Sequence, residues 1–204
     1  MNLEIFNKFS RLQSDTNNTL QQKELLDYFQ SLKSNPNGWK ICIETLLSDS
    51  VQDEMIIFFC FQVIEDYIKT RYNNHNNNND QNNDRIILCH FIITLFEKEI
   101  LQTNYLQNKY AHLVNTLFLI DFPYQKWPTF FNDFLKRCET RLKCELFLRI
   151  LIQINLDIAD REIPKTAKVS FCRKENKKLF SKLSIHIIII IGNGTKRPNQ
   201  RYDA

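Results

Sequence analysis

Apolar residues recur along most of the chain at the three- and four-residue spacing of amphipathic helices. The clearest case covers residues 51–72, which are apolar around most of their first half. A helix that is apolar over so wide an arc has to be covered on two sides. Ser50 is positioned to cap its start. The same spacing predicts further helices over residues 2–12, 19–32, 39–47, 84–101, 105–120, 127–138 and 142–158.

Most of the predicted helices form pairs, and each pair together with the linker that follows it occupies about 35–45 residues, which is the period of HEAT or armadillo hairpins. The pairs cover residues 39–72, 84–120 and 127–158. A lone hairpin cannot bury both of its faces, so hairpins of this kind stack into a solenoid. Periodicity alone leaves a compact helical bundle as the alternative. The predicted fold class is therefore all-α, a HEAT-like helical-hairpin solenoid over residues 1–164.

Two segments interrupt the helical pattern. Residues 73–83 are almost entirely asparagine and other polar residues, so we expect a flexible loop there. Residues 165–204 begin with a basic, weakly helical stretch and then hold an isoleucine-rich run at residues 187–191. That run is too short to span a bilayer. We expect this tail to diverge from the solenoid and to lie outside it.

Glycine is scarce, and the three glycines lie near the ends, at Gly38, Gly192 and Gly194. Phosphate-binding loops and dinucleotide-binding fingerprints need several clustered glycines, so both are excluded. The net charge of +4 is too small to indicate a nucleic-acid-coating protein by itself. The six cysteines show no metal-binding spacing, and we interpret most of them as buried reduced thiols: Cys42, Cys60, Cys89, Cys138, Cys144 and Cys172.

No recognised catalytic motif occurs in the sequence. Cys89 and His90 are adjacent, but neighbouring helical residues point about 100° apart, so a core or half-exposed histidine is the better interpretation, as it is for His112. An acidic cluster with one arginine suits helix-end capping or an Asp–Arg pair between repeats better than a metal site, and it comprises Asp157, Asp160, Arg161 and Glu162. The sequence therefore predicts a protein that is not an enzyme, with no metal and no cofactor.

The aromatic residues are predicted to build the core. Phe58, Phe59 and Phe61 lie among isoleucine and methionine, and Leu148 lies in an equally apolar run. Trp127, Phe130 and Phe131 follow the same logic, with Pro128 suited to a first helical turn. Exposed aromatic residues interleaved with lysine and arginine, as in nucleic-acid stacking platforms, are not expected here.

Several stretches resemble a known family of transport receptors. Residues 108–135 read NKYAHLVNTLFLIDFPYQKWPTFFNDFL and resemble the signature shared by nuclear exportins of the importin-β superfamily. Residues 58–72, FFCFQVIEDYIKTRY, and 146–162, LFLRILIQINLDIADRE, are more specific and resemble the tRNA exportins, the exportin-T family. WKICIETL at residues 39–46 fits the same family. The resemblance covers roughly residues 25–166, and we expect the chain to match the front end of such a receptor.

The resemblance implies nuclear export of tRNA driven by Ran-GTP, passage through the nuclear pore with its components as partners, and shuttling between nucleus and cytoplasm. It also implies that inner helices of the first repeats hold Ran, here residues 52–72 and 104–120. The candidate Ran-binding residues are Gln62, Asp66, Lys69, Asn108 and Lys109. For the first three, a solvated face with a Glu65–Lys69 pair is the competing interpretation.

Other functions stay open at this point. A related exportin or karyopherin with a protein cargo would share the Trp-Pro-Thr-Phe-Phe region but not the two more specific stretches. A helical-repeat adaptor with no transport role would ignore the nucleotide state of Ran. Nothing in the solenoid marks a tRNA site, because the loose basic cluster lies where the resemblance has faded, at Lys165, Lys168, Arg173, Lys174, Lys177 and Lys178.

Overall fold

The computed structural model describes residues 19–48, 53–72, 78–98 and 100–160. Within these residues the regular structure is entirely helical, so the all-α prediction is confirmed for them. A short 3-10 helix, Phe122–Tyr124, follows the fifth α-helix. The α-helices, numbered in chain order, are α1 Thr19–Ser34, α2 Gly38–Leu47, α3 Glu54–Thr70, α4 Asn78–Lys98, α5 Asn104–Asp121, α6 Phe130–Leu135 and α7 Arg141–Asp160.

The chain divides into two compact units, residues 1–120 and 121–204. In the first unit, α1, α2 and α3 contact one another, and α2 also contacts α4. The α3 helix meets α5 through Phe61 and Tyr110, whose ring centroids are 6.2 Å apart. The first helices of two successive hairpins are thus in contact, and so are their second helices. This is the packing of stacked HEAT-like hairpins.

The wide apolar arc of α3 is buried, as its sequence pattern predicts. Cys60, Phe61, Ile64 and Ile68 have no exposed surface. Phe59, predicted to be a core residue, is only half-buried, and so is Phe58. Each helical residue is turned by about 100° from the one before it, so a run of aromatic residues cannot all face the core.

The second unit contains the hairpin of α6 and α7. Phe134 on α6 stacks on Phe147 of α7 with ring centroids 5.4 Å apart. Leu148, also predicted to be core, is half-buried beside the fully buried Phe147. The order of burial along α7 is again set by helical geometry rather than by hydrophobicity alone.

A side-chain bridge explains the spacing in the Trp-Pro-Thr-Phe-Phe-Asn-Asp stretch. Trp127 Nε1 donates a hydrogen bond to Asp133 Oδ2 at 2.9 Å, and Thr129 Oγ1 donates to the same oxygen at 2.7 Å. Phe130 is buried and contacts Trp127 with ring centroids 5.0 Å apart, whereas Trp127 and Phe131 are half-buried. The motif therefore fixes the start of α6 as well as filling the core.

Two predicted helix starts are corrected by the structure. The α3 helix begins at Glu54 and is capped by Asp53, whose Oδ1 accepts hydrogen bonds from the backbone nitrogens of Met55 and Ile56 at 2.8 and 3.2 Å. Ser50, the predicted cap, lies outside the described residues.

The second correction concerns the predicted loop at residues 73–83. Its residues 78–83 form the first turns of α4, and residues 73–77 lie outside the described part of the chain. Gln81 Nε2 donates a hydrogen bond to the Tyr72 carbonyl at 3.0 Å. The polar segment extends a helix whose later turns are apolar, so it needs few apolar contacts of its own.

One glycine sits at a close backbone approach. Gly38 opens α2, and a Cβ atom there would lie 1.9 Å from the Leu32 carbonyl oxygen at the end of α1. Any residue with a Cβ atom would clash at this junction.

The predicted domain boundary at residue 164 and the tail beyond it lie outside the described residues, so both stay predictions.

The buried thiols are as predicted for four cysteines. Cys42, Cys60, Cys138 and Cys144 are fully buried, and Cys89 is partly exposed. All five are free thiols, whereas Cys172 lies outside the described residues.

Burial and a neighbouring thiol both raise the pKa of two of these cysteines, Cys60 and Cys138. A hydrogen bond with Cys42, together with burial, raises the pKa of Cys60 well above its ordinary value. Burial, with a smaller contribution from the neighbouring Cys144, raises the pKa of Cys138. Both thiols are therefore held in the protonated, unreactive form.

Among the helices that the structure describes, none combines the length and the apolar character needed to span a bilayer.

Candidate partner-binding face

The α3 and α5 helices carry all five of the predicted site residues. On α3, Gln62 and Asp66 are half-buried and Lys69 is exposed. On α5, Asn108 is exposed and Lys109 is half-buried. Lys69 and Lys109 are brought together by a residue that was not among the candidates, Glu65.

Glu65 is the centre of a charged cluster that joins the two helices. Its carboxylate forms ion pairs with Lys69 on its own helix and with Lys109 on α5. A third contact comes from His112, whose Nε2 lies 3.1 Å from Glu65 Oε1. We call these four residues the Glu65 cluster.

The members of the cluster differ in how far each side chain is exposed to solvent, and this difference affects the pKa of Glu65. The Glu65 side chain is only 10% exposed, whereas the side chain of Lys69 is 52% exposed and that of Lys109 is 19% exposed. Burial alone would raise the pKa of Glu65. The hydrogen bonds from His112, Lys109 and Lys69 outweigh burial and hold that pKa well below its ordinary value.

One carboxylate therefore faces two ammonium groups and an imidazole. Glu65 can neutralise only one positive charge, so the cluster keeps a net positive charge that Lys69 carries toward solvent. The cluster by itself favours an acidic group on a partner, while the half-buried carboxylate of Asp66 offsets this charge on the wider face.

An aromatic strip borders the cluster. Consecutive ring centroids from Phe29 to Phe59, Phe59 to Phe58 and Phe58 to Tyr105 are 4.5, 5.8 and 5.0 Å apart, so the strip crosses α1, α3 and α5. Tyr105 is 56% exposed. Lys109 Nζ lies 5.6 Å from the centroid of the Phe58 ring, which links the strip to the Glu65 cluster. Together they form one surface with an apolar part and a cationic part.

The sequence predicts only part of this surface. It indicates the Glu65–Lys69 pair as a solvated i, i+4 contact, but the structure buries Glu65 and adds two partners from α5, Lys109 and His112. His112 was interpreted as a core or half-exposed residue with no role. A signal was present: Glu65 is an acidic residue whose neighbours at positions 61, 64 and 68 are all apolar. A carboxylate on such a face needs cationic partners.

A second polar site lies on the other side of the same, C-terminal half of α3, since Tyr67 is two residues from both Glu65 and Lys69. Trp39 stacks on Tyr67 with centroids 4.2 Å apart, and Asp84 accepts a hydrogen bond from the Tyr67 hydroxyl. Lys40 Nζ lies 3.3 Å from Asp84 Oδ1. These residues line a cleft of about 260 Å³ together with Arg71.

The charged groups of this cleft stabilise the packing of the helices around it. Arg71 donates to the carbonyls of Lys33 and Ser34 at 3.1 and 2.9 Å and so caps the end of α1. Burial, followed by the hydrogen bond to Asp84, raises the pKa of Tyr67 and keeps its hydroxyl protonated. The network thereby ties α1, α2, α3 and α4 together.

The described residues contain no group of three or more histidine, cysteine, aspartate or glutamate side chains that could hold a metal ion. Cys89 is half-buried and His90 is exposed on α4, in keeping with helical neighbours that point apart. The side chains of Asp160, Arg161 and Glu162 lie outside the described residues.

Comparison with known proteins identifies relatives of this chain. Residues 103–189 match the family described as Exportin 1-like protein. The chain is 29% identical to Exportin-T of Mus musculus over 150 residues, which are 73% of this chain and 15% of that protein. It is 28% identical to Exportin-T of Homo sapiens over 152 residues, and 23% identical to Exportin-T of Arabidopsis thaliana over the same length. The two matches cover 72% and 71% of this chain and 15% of each relative.

These comparisons confirm the resemblance to exportin-T that the sequence motifs predicted. The chain spans about 15% of the length of the curated relatives it matches. The family match runs on to residue 189, past the boundary that the sequence pattern placed at residue 164.

Proposed function

We propose that this chain is a segment of a nuclear export receptor for tRNA, corresponding to the first HEAT-like repeats of a Ran-GTP-dependent carrier. The observation that carries the proposal is the similarity to Exportin-T over more than two thirds of the chain. The stacked helical hairpins of the first unit are the architecture such a receptor needs. The receptor would move between nucleus and cytoplasm and meet nuclear pore components on the way.

The mechanism requires binding and no catalysis. Ran-GTP and tRNA each favour one conformation of the receptor, so each raises the affinity for the other by the same factor. Hydrolysis of GTP by Ran in the cytoplasm removes this coupling and releases the cargo. Residues of the receptor act by positioning charge and apolar surface against Ran.

The Ran-binding role is assigned to the face formed by α3 and α5. It includes the five candidate residues, the Glu65 cluster and the aromatic strip. A face that combines the exposed part of an aromatic strip, Tyr105, with the exposed ammonium group of Lys69 suits a protein partner, because apolar contact supplies affinity and charge supplies specificity. Lys69 and Lys109 are the residues whose charge is tested most directly.

The experiment is a pull-down of the 204-residue chain with Ran loaded with GTP or with GDP. The wild-type chain should retain Ran-GTP and discriminate against Ran-GDP. Lys69→Glu and Lys109→Glu should weaken the retention, most strongly at low salt, where charges are least screened. Lys136→Glu is the matched control, since Lys136 is exposed in the second unit, remote in sequence from the proposed face.

Lys109→Glu needs a companion variant, because it also places a second carboxylate beside Glu65. Lys109→Met keeps most of the side chain length and removes the charge without that repulsion. Both Lys109 variants should weaken retention if the positive charge contacts Ran. Equal retention of Ran-GTP and Ran-GDP by the wild-type chain would contradict the export proposal and favour the helical-repeat adaptor.

The cargo is tested separately from Ran. A tRNA exportin would bind tRNA in a Ran-GTP-dependent way once the remaining repeats are present. A karyopherin with a protein cargo would discriminate between the nucleotide states of Ran and ignore tRNA. The test is therefore run with a longer chain that continues into further hairpins.

A further inference from the structure

We propose that Glu65 is the positioning residue of the partner-binding face, which fixes the ammonium groups of Lys69 and Lys109 before Ran arrives. This inference rests on the proposed function, since it names how the same face is prepared for binding. Its basis is the convergence of two helices on one carboxylate: Lys69 from α3, and Lys109 and His112 from α5.

The geometry indicates that Glu65 orders the lysine side chains before the partner binds, in addition to neutralising charge. Glu65 is almost fully buried, while Lys69 reaches from it into solvent. A lysine side chain has four rotatable bonds, and immobilising it on binding costs conformational entropy. A carboxylate that already holds the side chain removes part of that cost. The bond to Lys109 also crosses between helices, so it fixes the register of α3 against α5 on the side where the partner docks.

Charge and positioning make opposite predictions for loss of Glu65. Replacing the carboxylate with an amide removes a negative charge from the face, so a role in charge alone predicts tighter binding of an acidic partner surface. Loss of positioning predicts weaker binding, because both lysines then have to be ordered by the partner. The sign of the change in affinity therefore separates the two roles.

The experiment measures the dissociation constant of Ran-GTP for the 204-residue chain and its variants. Glu65→Gln should weaken binding about tenfold, the size expected when two rotamer-rich side chains lose their anchor. Glu65→Asp keeps the charge but shortens the reach by one methylene, so it should also weaken binding. Glu145→Gln is the matched control: Glu145 forms an exposed ion pair with Arg141 at 2.7 Å in the second unit, and binding should not change.

A double-mutant cycle distinguishes positioning from a merely structural role. In a background that carries both Lys69→Met and Lys109→Met, Glu65→Gln should have no further effect on binding, because there are no ammonium groups left to position. A role of Glu65 that does not pass through the two lysines, such as its contact with His112, predicts a loss that persists in that background. Far-UV circular dichroism on each variant verifies that the helices are formed, and Glu65→Asp provides the test if Glu65→Gln does not fold.

Each outcome has one meaning. Weaker binding by both Glu65 variants that vanishes in the lysine-to-methionine background supports the positioning role. Tighter or unchanged binding, or a loss that persists in that background, overturns it while leaving the proposed function in place. A wild-type chain that binds Ran-GTP and Ran-GDP equally overturns the proposed function, and the positioning role falls with it.

Discussion

The backbone of Gly38, at the start of α2, lies close to the backbone of Leu32 near the end of α1. An alanine at Gly38 would place its Cβ 1.9 Å from the Leu32 carbonyl oxygen and 2.7 Å from the Leu32 carbonyl carbon. Both obstacles are backbone atoms, so no side chain can rotate away. Gly38→Ala should lower the free energy of unfolding by about 1–3 kcal/mol, the usual range for overpacking, as measured by urea denaturation.

Asn37→Ala is the control for that experiment. Asn37 is the neighbouring residue and the N-cap of α2, but its side chain forms no capping hydrogen bond. Its replacement should therefore change stability much less than Gly38→Ala. Similar losses for both variants would show that the turn, rather than the close approach at Gly38, is the sensitive feature.

A second residue-scale prediction concerns the turn after α5. Gln125 adopts a φ of 53°, in the left-handed region. That conformation costs a residue with a Cβ about 1–2 kcal/mol, while glycine brings an entropic cost of about 0.5–1 kcal/mol. Gln125→Gly should therefore raise the free energy of unfolding by about 0.5–1 kcal/mol. Calorimetry of both chains measures it, and a lower melting temperature for the glycine variant would contradict it.

At the scale of elements, the Glu65 cluster makes the contact between α3 and α5 sensitive to acid. The pKa of Glu65 is depressed in the folded chain, so the unfolded chain binds a proton at this site more readily. The stabilisation is fully present above the unfolded value of about 4.3 and is lost as the pH falls below it toward the folded value.

Glu65→Gln should remove this part of the acid sensitivity. The wild-type chain should be more stable than the variant at neutral pH, and the difference should shrink as the pH is lowered through the acidic range. Urea denaturation at a series of pH values measures it. A difference that is the same at every pH would show that the carboxylate charge contributes nothing to the contact between α3 and α5.

The local sequence pattern predicted the helices better than it predicted the contacts between them. The helices and their pairing follow from periodicity, because each apolar stripe depends only on residues three and four apart. The order of burial between Phe59 and Phe61 depends on which neighbour covers each position. The start of α4 at Asn78 depends on the helix that follows it. Lys69, four residues on, is a local partner of Glu65, but Lys109 and His112 come from α5, more than forty residues away in sequence, and no local pattern specifies them.

At the scale of the whole molecule, binding of tRNA depends on the number of phosphate contacts. Each phosphate that a protein neutralises adds a counterion-release contribution to affinity. The 204-residue chain has a net charge of only +4 and, in its described residues, three helical hairpins. By itself it should bind tRNA weakly, without preference over other structured RNAs and without stimulation by Ran-GTP.

A filter-binding titration at physiological salt measures this prediction. Binding of tRNA should fall steeply as salt is raised, and an unrelated structured RNA should behave in the same way. Tight binding that is selective for tRNA and stimulated by Ran-GTP would contradict the prediction and would show that this length of chain suffices for a working carrier.

The buried thiols allow the unfolding of each compact unit to be measured separately. Cys42 and Cys60 are fully buried in the first unit, and Cys138 and Cys144 are fully buried in the second. An alkylating reagent has to reach the sulfur atom, so a thiol in a closed core is protected until its surroundings open. Pulsed alkylation followed by mass spectrometry of peptides would then time the two units separately. Simultaneous modification of both pairs would mean that the units unfold as one, and early modification of one pair would identify the less stable unit.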